Sequence, residues 1–231
     1  MTKPIEFKVG EDTLRGKVFV PNGAGPFPGV IFLHGSESKG AIHFEAAELL
    51  SKNGVIGFAF NYRGCGASDG NIADQAIEDG LEDAKKAIEV FFAQDSLDKS
   101  RIGMLGGSYG GFLASLICNS YDFKSIVLSA PAAYAPSEMG LKHGSPLSKN
   151  AFLESKSYEE IAIFKKDLLI IQCEFDDILP QGMVEEYTRV SSSNPHAKTF
   201  VLNGAPHRIS TDPQAKKVFL DRIEEWFLKT L

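Results

Sequence analysis

The stretch Arg101-Ile102-Gly103-Met104-Leu105-Gly106-Gly107-Ser108-Tyr109-Gly110-Gly111-Phe112-Leu113-Ala114-Ser115 decides how the rest of the chain is read. It opens on a short apolar run, 102–105, too short for a helix. It passes through Gly106-Gly107-Ser108-Tyr109-Gly110, a G-x-S-x-G pattern, and leaves through a helix-competent run at 112–118. Strand, sharp turn, helix is the context that a nucleophile elbow requires. A serine at the tip of so tight a turn takes a strained backbone conformation, and the flanking segments nearly touch, so glycine suits positions 106 and 110. The helix that follows points its N-terminal N–H groups and positive dipole end at the site, where negative charge would develop. A phosphate cradle is the competing reading. No G-K-[ST] follows, and Leu105 prevents a G-x-G-x-x-G fit.

Working outward, the same alternation runs almost from end to end. Runs at 5–9 and 14–20 flank Gly10-Glu11-Asp12 and read as a hairpin. Short apolar runs at 30–33, 55–60, 102–105, 126–128, 168–173 and 199–202 suit strands buried on both faces, as a parallel sheet covered by helices demands. Between them, Phe44, Ala47 and Leu50 suit a helix stopped at Asn53-Gly54. Ile77, Leu81, Ala84, Ile88 and Phe91 form a clean apolar stripe, and Phe219, Ile223, Trp226 and Phe227 form another near the end. The expected fold is α/β: a mostly parallel, doubly wound sheet with helices on both faces and an N-terminal antiparallel hairpin. With no linker, repeat or charge block, residues 1–231 read as one domain. Segment 131–166 is longer than a crossover helix needs and rich in Pro and Gly. It reads either as an irregular loop or as a small cap over a pocket, with Tyr134, Met139, Leu141 and Phe152 as candidate substrate contacts.

Composition narrows the function classes. The formal net charge is −6, which gives no global attraction for nucleic acid or anionic lipid. Three cysteines, at 65, 118 and 173, show no paired spacing and read as reduced thiols. The opening MTKPIEFKVG has no apolar core of a signal peptide, and no run of 18 apolar residues could span a membrane. The expectation is a soluble cytoplasmic protein. No HExxH, Cys pair or dinucleotide fingerprint points to a metal or a cofactor, and none is expected.

A serine hydroxyl is a weak nucleophile and needs a base. Of five histidines, His34 reads as a turn-shaping residue at the end of the first core strand, and His43 opens a helix. His143 lies in the irregular segment and His196 in a polar loop. His207 follows the last strand, and a parallel sheet brings all its strand exits to one edge, the edge of Ser108. An orienting carboxylate is then needed. Glu174, Asp176 and Asp177 crowd the exit of the strand at 168–173, and the order Ser, acid, His fits one known fold class.

On these segments the chain resembles an α/β-hydrolase of the serine-esterase and dienelactone-hydrolase-like branch. The matching pieces are Leu33-His34-Gly35, Asn61-Tyr62-Arg63-Gly64-Cys65-Gly66-Ala67-Ser68-Asp69-Gly70, Gly106 to Gly110, Asp176-Asp177-Ile178-Leu179-Pro180 and Gly204-Ala205-Pro206-His207. The resemblance places the acid four residues before a proline, which selects Asp176 ahead of Asp177. It also implies an oxyanion hole from the backbone N–H groups of Tyr109 and Ser36. The HGGG run of some lipases is missing after His34. A serine stands where dienelactone hydrolases carry cysteine, which points away from their lactone chemistry. The segment 62–66 is given no chemistry, and Cys173 reads as a buried small hydrophobe. What the resemblance implies is hydrolysis of a small-molecule ester or thioester through an acyl-enzyme. A peptidase of the same fold and a silent ligand-binding member are the alternatives.

Overall fold

A computed structural model describes residues 1–36 and 40–231. Among these, eight strands form one sheet: β1 (Thr2–Val9), β2 (Asp12–Phe19), β3 (Phe27–Leu33), β4 (Ile56–Phe60), β5 (Leu97–Gly107), β6 (Ser125–Ser129), β7 (Asp167–Phe175) and β8 (Ala197–Pro206). Their spatial order is β1-β2-β4-β3-β5-β6-β7-β8. β1 and β2 are the antiparallel hairpin, β2 joins β4 antiparallel, and every pairing from β4 across to β8 is parallel. The helices are α1 (Ala41–Lys52), α2 (Asp79–Phe92), α3 (Tyr109–Ile117), α4 (Lys156–Ile163), α5 (Met183–Val190) and α6 (Pro213–Thr230).

The strand alternation explains the two-faced core. In β3, Ile31 and Leu33 face the cluster built with α2, α3, α4 and α5, whereas Val30 and Phe32 face the one built with α1 and α6. β7 divides in the same way, Leu168 and Ile170 to the first side and Leu169, Ile171 and Cys173 to the second. The stripe read on α2 is realised by Ala84, Ile88 and Phe91, all fully buried. Helix α6 is fixed at both ends. Asp212 caps it by accepting from the Ala215 N–H at 2.8 Å, and the Trp226 indole donates to Ser125 Oγ at 2.8 Å. That anchorage holds the short connection from β8 in place.

The segment between β6 and α4 carries two 3-10 turns, Pro136–Glu138 and Ala151–Glu154. The buried Glu138 carboxylate accepts from the Ala135 N–H (3.1 Å) and the Ser148 N–H (2.9 Å). Backbone bonds from Ile77, Glu78 and His143 to the carbonyls of Leu141, Met139 and Gln75 tie it to the chain ahead of α2. These bonds hold the segment without a long helix.

The segment after β4 is tied to β2 and to α2. Arg63 Nε donates to Asp83 Oδ1 at 2.7 Å, and the Arg63 backbone N–H donates to Oδ2 at 2.9 Å. The Asp83 side chain is almost fully buried. Asp83→Ala removes both bonds, while Arg63 keeps Glu82 (2.9 Å) and the Asp79 carbonyl (3.1 Å), so the change should cost about 1.5–3 kcal/mol. Urea unfolding should show this as a lowered midpoint.

Candidate active site

Ser108 sits at the junction of β5 and α3 with φ 51° and ψ −118°, a positive φ that a non-glycine residue rarely adopts. The chain tolerates it because the neighbours are glycines. A Cβ at 106 would strike the carbonyl oxygen of Gly110, and one at 110 would strike that of Leu33. The turn is held by the Ser108 N–H on Ser129 O (2.9 Å), and Ser108 O accepts from the Gly111 and Ala132 N–H groups.

The register of the last two strands brings the other two groups together. β7 and β8 slip by a bulge after Cys173↔Leu202, so that Phe175 pairs with Pro206. The residues that follow, Asp176 and His207, therefore emerge side by side. Asp176 Oδ2 lies 2.7 Å from His207 Nδ1, and His207 Nε2 lies 2.9 Å from Ser108 Oγ. An ionised carboxylate only accepts, so the hydrogen sits on Nδ1, and Nε2 offers its lone pair to the Ser108 hydroxyl.

The three acids of this turn have separate fates. Glu174 accepts from the Gly204 N–H (2.7 Å) and Asp177 is exposed. Asp176 also accepts from the Ile178 and Leu179 N–H groups through Oδ1, at 3.0 and 2.9 Å. Burial pushes the Asp176 carboxyl up, but the bonds from His207, Leu179 and Ile178 outweigh it and hold the group below its ordinary value. With the folded value the lower one, its contribution to stability is complete above the ordinary carboxylate range and fades as pH falls through the depressed value.

His34 is fully buried. Its Nε2 accepts from the Tyr62 N–H (3.2 Å), so Nδ1 carries the hydrogen and donates to Gly35 O (2.6 Å). Burial pushes His34 down to about 4, so the ring is neutral at ordinary pH. Tyr109 opens α3, where helix geometry leaves its N–H without an acceptor four residues back. Ser36 lines the cleft in front of Ser108. The three cysteines are free and buried, and burial, with Asp176 nearby, pushes the Cys173 thiol up to about 12. No cluster of His, Cys, Asp or Glu suited to a metal occurs among the described residues. Nor is any helix among them long and apolar enough to cross a membrane.

The cleft has a volume of about 570 Å³ and is walled by Ser36, Ile42, His43, Ile178, Arg208, Ile209 and Phe219 around Ser108 and His207. From segment 131–166 it receives Gly144 alone among the described residues. Tyr134, Met139, Leu141 and Phe152 pack instead on the core beneath α2 and α3, Tyr134 edge-on to Phe112 with centroids 4.9 Å apart. The four lie away from the cleft because tying the segment to the chain before α2 turns its apolar side inward. The actual wall comes from the start of α1 and from the β8–α6 connection. Only their nearness to His34 and His207 in the sequence hinted at this.

A parallel sheet with an antiparallel N-terminal hairpin and a serine elbow after its central strand defines an α/β hydrolase. More particularly, the chain belongs to the prolyl oligopeptidase family, whose model matches residues 43–231. An uncharacterised protein of Mycobacterium tuberculosis is 27% identical over 221 residues, 94% of this chain and 75% of that one. Esterase EstD of Thermotoga maritima is 30% identical over 128 residues, 52% of this chain and 31% of its own. Among solved structures, Est1E from Butyrivibrio proteoclasticus with ferulic acid bound superposes with a TM-score of 0.77, at 20% identity over 98% of both chains. The acylaminoacyl peptidase of Pyrococcus horikoshii superposes at 0.78, with 19% identity over all of this chain and 41% of that one. Both share the fold.

Proposed function

We propose that the chain is a serine hydrolase that cleaves a small-molecule carboxylic ester or thioester through an acyl-enzyme. The observation that carries this reading is the unbroken hydrogen-bonded line from Asp176 through His207 to Ser108 Oγ. In the first half-reaction Ser108 Oγ attacks the acyl carbon, and its proton passes to His207 Nε2. Asp176 steadies the resulting imidazolium. The tetrahedral intermediate collapses, and the leaving alcohol or thiol departs with the proton from Nε2. In the second half-reaction His207 takes a proton from water, whose oxygen attacks the acyl carbon. Ser108 then leaves with the proton and the acid is released.

The oxyanion would rest on the N–H groups of Tyr109 and Ser36. His34 acts as a positioning residue for the second of these. It holds the Gly35 carbonyl, and a trans peptide aims the Ser36 N–H the opposite way.

A folded sample should label stoichiometrically at Ser108 with a fluorophosphonate probe and should turn over short 4-nitrophenyl esters. Absence of both would overturn the reading. The family match supports peptide cleavage as a second reading. A kcat/KM for an aminoacyl 4-nitroanilide above that for the matched ester would transfer the assignment to it.

A further inference from the structure

Arg208 is the residue next to His207 and the only Lys, Arg, Asp or Glu among the described residues that wall the cleft. It is exposed, and no carboxylate pairs with it among the described residues. Its backbone is fixed, because Arg208 O accepts from both the N–H and the hydroxyl of Thr211, so the side chain starts from a set place on the rim. A guanidinium presents a planar fork of donors suited to a carboxylate.

A second, independent observation marks the cleft as a place for a polar ligand. His43 also lines it and is 8% exposed, and neither ring nitrogen has a hydrogen-bond partner among the described residues. Burial pushes its pKa down to about 3, so the ring is a neutral donor and acceptor. Gly107, directly before the nucleophile, makes room for it. A Cβ there would stand 3.0 Å from His43 Nε2. An unsatisfied buried polar ring costs stability, and its position beside the reacting serine is where a ligand would supply the missing partner.

The side of the cleft follows from the chemistry. His207 Nε2 returns its proton to the departing group, so the leaving half of the substrate lies on the His207 side, and Arg208 is the wall residue that adjoins His207 in the chain. We propose that the cleft takes esters whose alcohol half carries a carboxylate, held by the Arg208 guanidinium, with Ile209 and Phe219 available to its apolar body. The inference rests on the hydrolase reading above and narrows its substrate. The chain's net charge of −6 opposes anions at long range. Distant charges are screened beyond roughly 8 Å at physiological salt, whereas Arg208 acts at contact distance.

The test compares 4-acetoxybenzoate with its methyl ester, two acetates that differ by one negative charge on the leaving group. For the wild type, the kcat/KM ratio of acid to methyl ester should exceed unity by about tenfold and fall as salt is added. Arg208→Lys should keep most of the preference, Arg208→Gln should abolish it together with its salt dependence, and Arg208→Glu should invert it. A second pair, the 4-nitrophenyl half-ester of adipic acid against 4-nitrophenyl hexanoate, places the charge on the acyl half and should show no Arg208-dependent preference. Ratios near one in the wild type that Arg208→Glu leaves unmoved would overturn the inference while leaving the hydrolase reading intact. A preference confined to the acyl-side pair would overturn it too. Loss of all ester turnover and of fluorophosphonate labelling in the wild type would overturn the hydrolase reading itself, and the inference with it.

Discussion

Ser108→Ala is expected to lower kcat/KM for 4-nitrophenyl esters by about 10⁴–10⁶-fold while leaving the unfolding midpoint close to that of the wild type. The size follows from the role. The acyl-enzyme needs an oxygen at this position, and the residual rate comes from whatever the oxyanion donors and binding supply without it. The fold should be indifferent, because alanine meets the same backbone demand at φ 51° and the hydroxyl's hydrogen bond goes to His207 rather than to the core. Steady-state kinetics with a thermal melt on the same sample checks both halves. Turnover within tenfold of the wild type in the folded variant would remove Ser108 from the mechanism.

Asp176→Asn is expected to cost about 10⁴-fold in kcat, and Asp177→Asn almost nothing. The geometry says why an isosteric change should be so costly. Oδ1 is fastened by the N–H groups of Ile178 and Leu179, so an asparagine keeps its carbonyl oxygen there and turns its NH₂ toward His207. That NH₂ donates to Nδ1, which must then hold the lone pair. The ring hydrogen moves to Nε2 and faces the Ser108 hydroxyl, leaving no base. Asp177 is exposed, and its side chain has no hydrogen-bond or ion-pair partner among the described residues that would relay such a change. Equal effects of the two substitutions would reject the assignment of the acid. Measuring kcat against pH separates a tautomer effect from a folding defect, since the former persists in fully folded protein.

The parts of the fold legible in the sequence are those that local physics imposes. Residues 56–60 and 125–129 are buried at every position, so only a strand covered on both faces could hold them. Helices α4 and α5 leave little mark in the sequence. Each is eight residues long with three buried positions, too few turns to build a stripe. At the site, Ser108 announces itself through glycines whose necessity is steric and local. That Asp176 and His207 meet depends on a bulge between β7 and β8, a property of pairing between segments some thirty residues apart, and only the count from Pro180 singled out Asp176. The walls of the cleft were least legible. Ile42 and His43 come from the start of one helix, Arg208 and Ile209 from a connection more than 160 residues later and Phe219 from the helix after it, and no periodicity links them. The apolar residues of 131–166 looked available for substrate because sequence shows exposure to neighbours along the chain, not across it.

The pinning of that segment by Glu138 bears on how a reaction would begin. A strap whose buried carboxylate holds two backbone amides, whose Met139 and Leu141 carbonyls accept from Glu78 and Ile77, and whose His143 N–H donates to the Gln75 carbonyl is tied down at several points. Time courses started by mixing enzyme with dissolved ester should therefore run from the first turnover without an induction period attributable to it, and adding an oil–water surface should bring no jump in rate through its displacement.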